Sequence, residues 1–187
     1  MGMDSYFEAL LRKSSYMKTL FAGIDPGLNG ALVIIDGQTD KIVFANPLPL
    51  IDSPEKTRKD IDSLALTMYL EAFRKDLHCL ALEKVHARPM QGVVSTFTFG
   101  RVYGKIMACL ELLGISHIFV PPSVWTKVIL PEGIQDKKGS IDFFKSRWEN
   151  SYLFPGKRKL PHDGIADAGC LAEFAKIDYY SSSAFNP

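Results

Sequence analysis

The feature that most constrains this chain is the stretch 19–36, TLFAGIDPGLNGALVIID. Its apolar runs 20–24 and 31–35 are β-prone and are separated by Asp25, Pro26, Gly27, Leu28, Asn29 and Gly30. Short apolar runs bounded by Gly, Pro and Asn predict two strands joined by a tight connection. Asp25 stands where the first strand ends. The residues before it belong in a core and those after it must turn, so its carboxylate falls at the rim of a sheet. An aspartate there can serve the turn by bonding its own backbone, or it can serve chemistry at the sheet edge.

The next 20 or so residues extend the pattern. Asp36, Gly37 and Gln38 make a turn, and 41–45 reads as a third strand, so the first three strands form an antiparallel meander. The Pro-rich segment 46–56 reads as an irregular loop. Asp60 is placed to cap a helix whose Ile61, Leu64, Ala65, Met68 and Ala72 follow at helical spacing. The segment 78–85 is an almost continuous apolar run, the mark of a strand buried on both faces. It too meets a carboxylate, Glu83. A helical crossover would bring this strand beside the first one, running the same way, with Asp25 and Glu83 at one edge.

The segment 95–113 predicts a long helix with Phe99, Val102, Tyr103, Ile106, Leu110 and Leu113 as its apolar stripe and Gly114 as its end. Gly100 and Gly104 leave one face nearly bare, either for close packing on the sheet or for the approach of another subunit. A fifth strand at 117–120 closes at Pro121-Pro122. Ser123 is expected to cap a short helix through Trp125 and Ile129, and 138–148 is expected to form another helix. The predicted fold class is therefore α/β: a mixed five-stranded sheet, with an antiparallel meander plus two parallel strands, flanked by helices.

Bulk properties bound the rest. The 187 residues suffice for one domain with a sizeable core. Residues 17–187 are read as that domain. Residues 1–16 are read as an amphipathic appendage of unknown role, without a signal-peptide apolar region and with Asp4 and Glu8, which a transit peptide would avoid. A net charge of +1 means that a nucleic-acid or membrane partner must be met by local patches. No apolar run approaches the ~18 residues of a membrane span. Cys79, Cys109 and Cys170 lie in apolar segments without metal-ligand spacing, as expected of buried thiols in a reducing, cytoplasmic compartment.

From 127 to 159 cations outnumber anions: Lys127, Lys137, Lys138, Lys145, Arg147, Lys157, Arg158 and Lys159, with Trp125, Trp148 and Tyr152 interleaved. Most read singly as solvated surface over core aromatics. The compact run Lys157-Arg158-Lys159 is the best candidate for holding phosphates. The final helix is expected to begin near Pro161, His162 and Asp163. Asp163 and Asp167, four apart, share a helical face. A helix-start role accounts for Asp163 but not for Asp167, which lies among Gly, Ala and Cys; a metal ion is the economical counter-charge. Four acids without a His or Cys cluster suit hard cations, Mg²⁺ or Mn²⁺. Two such ions would activate a water and stabilise the leaving oxygen of a phosphodiester.

The ordered blocks GIDPGLNGALVIID, LEKV and PHDGIADA resemble those of the RuvC-type Holliday junction resolvases, within the ribonuclease H-like superfamily, over about residues 17–177. VPPSVWTKVIL and DKKGSIDFF are similar to stretches of phage-associated and divergent members. The resemblance implies metal ligands at Asp25, Glu83 and Asp167. It puts the fourth three residues before the last, at Gly164; Asp163 is the nearest acid on that face, with His162 beside it as accessory ligand or proton shuttle. The family's crossover-probing aromatic falls at His86. Also implied are two Mg²⁺ ions per site and a homodimer packed through the helix of Gly100 and Gly104. Four-way DNA would be cut symmetrically, with DNA contacts expected from His86, Lys127, Lys137, Lys138, Lys157, Arg158 and Lys159. Two alternatives are a nuclease of the same fold acting on RNA–DNA hybrids or flaps, and an actin- or sugar-kinase-type nucleotide-binding protein. The second is disfavoured, since no second Gly-rich phosphate loop is present and the chain is short for it.

Overall fold

Alternation along the strands sorts the core into two halves. Phe21, Ala31, Val33, Ile35, Cys79 and Ala81 are buried on one side of the sheet, and Leu20, Ala22, Ile24, Leu32, Ile34, Leu80 and Leu82 on the other. Both sides are covered by helices, giving three layers. The computed structural model describes residues 18–53, 58–86, 90, 92–131 and 137–183; the expected appendage 1–16 lies outside the described residues.

The strands are β1 (Leu20–Asp25), β2 (Ala31–Asp36), β3 (Ile42–Pro47), β4 (Leu50–Asp52), β5 (Lys59–Ile61), β6 (Leu77–Glu83) and β7 (His117–Val120). The main sheet has the order β3-β2-β1-β6-β7. Its first three strands are antiparallel neighbours, β6 runs parallel to β1, and β7 runs parallel to β6, as the sequence predicts. The helices are α1 (Ser63–Glu71), α2 (Val93–Leu113), α3 (Pro122–Ile129), α4 (Lys137–Arg147) and α5 (Asp163–Ser183), with a 3₁₀ turn at Asn150–Leu153. Helices α1 and α2 cover one face through Leu66, Leu70, Val102, Ile106 and Leu110. Helices α3, α4 and α5 cover the other through Trp125, Phe144, Ile165, Ala168 and Leu171.

Three local expectations are corrected, and one left open is narrowed. The Pro-rich segment is not wholly irregular: β4 pairs antiparallel with β5, its prolines flanking the three paired residues. That pairing draws Asp60 into a strand, so α1 starts later and Asp62 caps it, accepting a bond from Ala65 N–H at 3.0 Å. Asp60 is instead buried against Lys105 at 2.7 Å and Arg101 at 3.4 Å. Helix α3 begins at Pro122 rather than being capped by Ser123, because a proline loses nothing where its missing N–H would have had no partner. Gly100 and Gly104 do not pack on the sheet. A Cβ built on either meets nothing within 4 Å, so that face of α2 is open.

All three cysteines are free and buried. Burial, with Asp178 adding to it, pushes the Cys79 thiol up to about 11. Burial and the charge of Asp167 raise Cys170 further. No helix among the described residues is long and apolar enough to cross a membrane.

Candidate active site

Parity sets the first two acids. Phe21 of β1 and Cys79 and Ala81 of β6 face the α5 layer. Residues two apart on a strand share a face, so Asp25 and Glu83 at the strand ends point to that layer too. Ile24 pairs with Leu82 across the parallel strands. Asp25 and Glu83 therefore follow as neighbours on strands about 4.8 Å apart.

Missing side chains set the other two. A Cβ on Gly23 would overlap the carbonyl of Ala168 and the amide of Ala172, so α5 lies directly on the β1 backbone. Nearer the helix start, a Cβ on Gly164 would stand 2.5 Å from the Asn29 carbonyl oxygen and 3.0 Å from Oδ2 of Asp25. Residues 164, 168 and 172 thus form the contact line. Asp163 and Asp167, each one position earlier, run beside it at the level of the strand ends. All four acids are half-buried. The same contact explains why the acid falls at 163: position 164 has no room for a side chain.

His162 starts the helix. Its carbonyl accepts from the N–H groups of Ile165 and Ala166 at 3.2 and 3.3 Å, and its Nδ1 accepts from Ile165 N–H at 3.3 Å. The ring is buried, and burial, followed by the charge of Arg158, holds its pKa below the usual value against an opposing pull from Asp163. A neutral ring with Nδ1 accepting carries its proton on Nε2, which can donate a hydrogen bond but offers no lone pair to a cation.

Around Glu83 stand two aromatic groups whose place the sequence did not reveal. Trp125 Nε1 donates to Glu83 Oε1 at 3.0 Å. Burial and then the charge of Glu83 push the Tyr103 phenol up. Tyr103 stacks with Phe99, ring centres 6.5 Å apart and planes 16° apart. Exposed His86 lines a cavity of about 130 Å³ with both of them. Interleaving with cations marked Trp125 only as a core aromatic, and periodicity marked Phe99 and Tyr103 only as core stripe.

Lys157, Arg158 and Lys159 are exposed on the loop that leads into α5, next to Asp163 in sequence. Lys127 on α3 and Lys138 on α4 are exposed on other helices, and the side chain of Lys137 lies outside the described residues. Arg58, which sequence reasoning passed over, lines with Lys59 a cleft of about 770 Å³ reaching the Gly27–Asn29 turn after Asp25.

No family model and no curated protein matches the chain. Among solved structures, RuvC of Thermus thermophilus in complex with a Holliday junction substrate matches with a TM-score of 0.60 at 14% identity, over 88% of this chain and 96% of that one. The yeast mitochondrial Holliday junction resolvase Ydc2 matches with a TM-score of 0.56 at 14% identity, over 99% of this chain and 89% of that one. The fold is that of the RuvC-type resolvases.

On that RuvC-type fold the ends of β1 and β6 and the start of α5, the elements that carry the four acids, lie at one edge of the sheet. Among the described residues no three His, Cys, Asp or Glu side chains stand together as a group that could hold a metal ion. An all-oxygen, half-wet set still suits Mg²⁺, which keeps several waters and uses one or two protein carboxylates together with substrate phosphate oxygens.

Proposed function

We propose that the chain is a metal-dependent, structure-specific endonuclease that resolves four-way DNA junctions by symmetric phosphodiester hydrolysis. What supports this reading is the placement of the elements that carry the acids: neighbouring parallel strands end in Asp25 and Glu83, and the α5 start packs on Asp25 through Gly164. The solved RuvC matched here was bound to a Holliday junction, and Ydc2 is a Holliday junction resolvase. Extending that substrate to this chain is part of the proposal.

Asp25, Glu83, Asp163 and Asp167 would hold two Mg²⁺ ions, with Mn²⁺ able to replace them. Bound there, the ions supply charge to the phosphate and lower the pKa of water. The other roles belong to the chain's own groups. Lys157, Arg158 and Lys159 attract the phosphodiester backbone toward the rim. His86, Phe99 and Tyr103 offer ring faces to an unstacked base at the crossover. The layers of apolar core under the strand ends keep the acids fixed while the backbone is positioned.

A homodimer completes the reading. Val93, Phe97, Gly100 and Gly104 follow one another along a single face of α2. Val93 is 85% exposed and Phe97 71%, and the two glycines open onto free space. A two-fold dimer through this face matches a junction with two-fold symmetry. Buried free cysteines suit a reducing compartment.

The test is cleavage of a synthetic four-way junction in Mg²⁺ by the native protein and by Glu83→Gln, beside an RNA–DNA hybrid and a flap. Symmetric nicking of the junction by the native protein alone supports the reading. Preference for the hybrid or the flap would replace it with the other nuclease.

A further inference from the structure

The loop that closes β7 delivers one side chain onto a proposed metal ligand. Glu83 pairs with Val120, and Lys84 N–H bonds the Val120 carbonyl at 2.8 Å, so the two strands end level. Pro121 and Pro122 then turn the chain straight into α3, whose first turn carries Trp125. The Trp125 ring is 4% exposed and is packed in the same cluster as Ile129, Phe144, Ile165 and Ala166. A ring clamped on its apolar faces cannot swing, so its N–H is held at 3.0 Å from Oε1 of Glu83.

We infer that Trp125 is a positioning residue that fixes the Glu83 carboxylate for divalent-cation binding; this rests on the nuclease reading of the same rim. The choice of an indole has a chemical reason. A lysine or arginine at that spot would fix the carboxylate but also cancel the charge a cation needs. An indole N–H is a neutral donor that does not accept and does not titrate in the working range. It orients Glu83 and leaves the negative charge to the ion. Groups that bond a metal-ligating carboxylate from behind typically contribute 10–100-fold in metal affinity or activity.

The experiment compares native protein with Trp125→Phe, which keeps an aromatic ring and removes the N–H. Mn²⁺ binding is measured by calorimetry at a temperature where circular dichroism shows both proteins folded. The expected result is at least a ~10-fold loss of Mn²⁺ affinity. In junction cleavage the Mg²⁺ needed for half-maximal rate should rise by a similar factor, while turnover at saturating Mg²⁺ stays within a few-fold. A folded Trp125→Phe that binds Mn²⁺ as native does overturns the inference and leaves the nuclease reading standing. Trp125-dependent Mn²⁺ binding by a native protein that cuts no branched DNA does the reverse. Native protein that binds no Mn²⁺ overturns both. Should Trp125→Phe not fold, Trp148→Phe leaves Trp125 as the one tryptophan. Its emission should then respond to Mg²⁺, and the response should vanish when Glu83→Gln is added. An emission indifferent to Mg²⁺ overturns the inference.

Discussion

Helix α5 carries charge near both of its ends, and the two ends are built on opposite rules. Toward its C-terminal half, Glu173 meets Lys176 at 2.8 Å and Arg147 at 2.9 Å, and both cations also reach Asp40, at 2.6 and 3.2 Å. Trp148 adds a bond from its indole to the Asp40 carbonyl at 2.8 Å. Acids and bases are matched there, and the network ties the β2–β3 turn to α4 and α5. At the N-terminal end the helix start, with Asp163 and Asp167, lies beside the ends of β1 and β6, and Glu83 there accepts from a neutral indole and flanks a neutral phenol. The C-terminal network ties charge to charge within the fold, whereas the donor held on Glu83 at the N-terminal end is uncharged.

Mutation should separate the two ends. Asp25→Asn is expected to lower junction cleavage by about 10³-fold, the loss of several kcal/mol of electrostatic stabilisation, with the thermal midpoint unchanged or raised. Parallel cleavage and melting measurements check this. A variant that cuts normally would remove Asp25 from the site. Lys176→Ala should do the opposite. It strips a cation from a side chain that is 8% exposed, Glu173, and should destabilise by about 3 kcal/mol while the folded protein still cleaves. Urea unfolding measures the cost.

Gly164→Ala probes the join between the ends. Its new methyl would press on Asp25 Oδ2 and the Asn29 carbonyl, so α5 must shift or the turn must yield. The expected cost is about 2 kcal/mol, with cleavage reduced as well, because the displaced element carries Asp163 and Asp167. Unchanged melting and cleavage would mean that α5 does not bear on Asp25 as tightly as its backbone placement requires.

The matched network also makes a prediction in acid. The bond from Lys176, against the opposing effect of burial and with further help from Arg147, holds the Asp40 carboxyl below its ordinary value of 3.8. A carboxyl whose folded pKa is depressed contributes stability that is fully present above the unfolded value. That stability is lost as pH falls through the folded one. Melting between pH 5 and pH 2 should therefore be less steep in Lys176→Met than in native protein, since the variant has already lost the bond. Equal slopes would mean that Asp40 is not held by Lys176 in solution.

Much of this was legible in the sequence because it depends on local order. Short apolar runs bounded by turn residues named five strands, and a helical crossover put Asp25 and Glu83 at one edge. What was hidden depends on partners remote in sequence. Asp60 and Asp62 are equally good caps by residue type, and only the pairing of β5 with β4 chooses Asp62. Gly100 and Gly104 read the same whether a sheet or open space lies opposite. Trp125 becomes Glu83's donor only because β6 and β7 end level, a register that no local pattern encodes. Gly164 shows the converse. Its departure from the family pattern was plain in the sequence, and its reason became plain only when the Asn29 carbonyl was found in the way.

The smallest expected effect concerns how the acidic rim meets a polyanion at all. With a net charge of +1, the chain has no global attraction to DNA, so a few local cations must supply it. The exposed run Lys157, Arg158 and Lys159 leads directly into the helix that bears Asp163. If each lysine there neutralises one phosphate, Lys157→Ala and Lys159→Ala should each flatten the dependence of log K on log salt by about 0.9. Affinity at moderate salt should fall only a few-fold and equally for all junction sequences, because phosphate contacts carry no sequence information. Titrations of a four-way junction at several salt concentrations, in Ca²⁺ to prevent cutting, give both numbers. A native slope in both variants would move the DNA backbone away from this loop, toward the cleft lined by Arg58 and Lys59 beside the 27–29 turn.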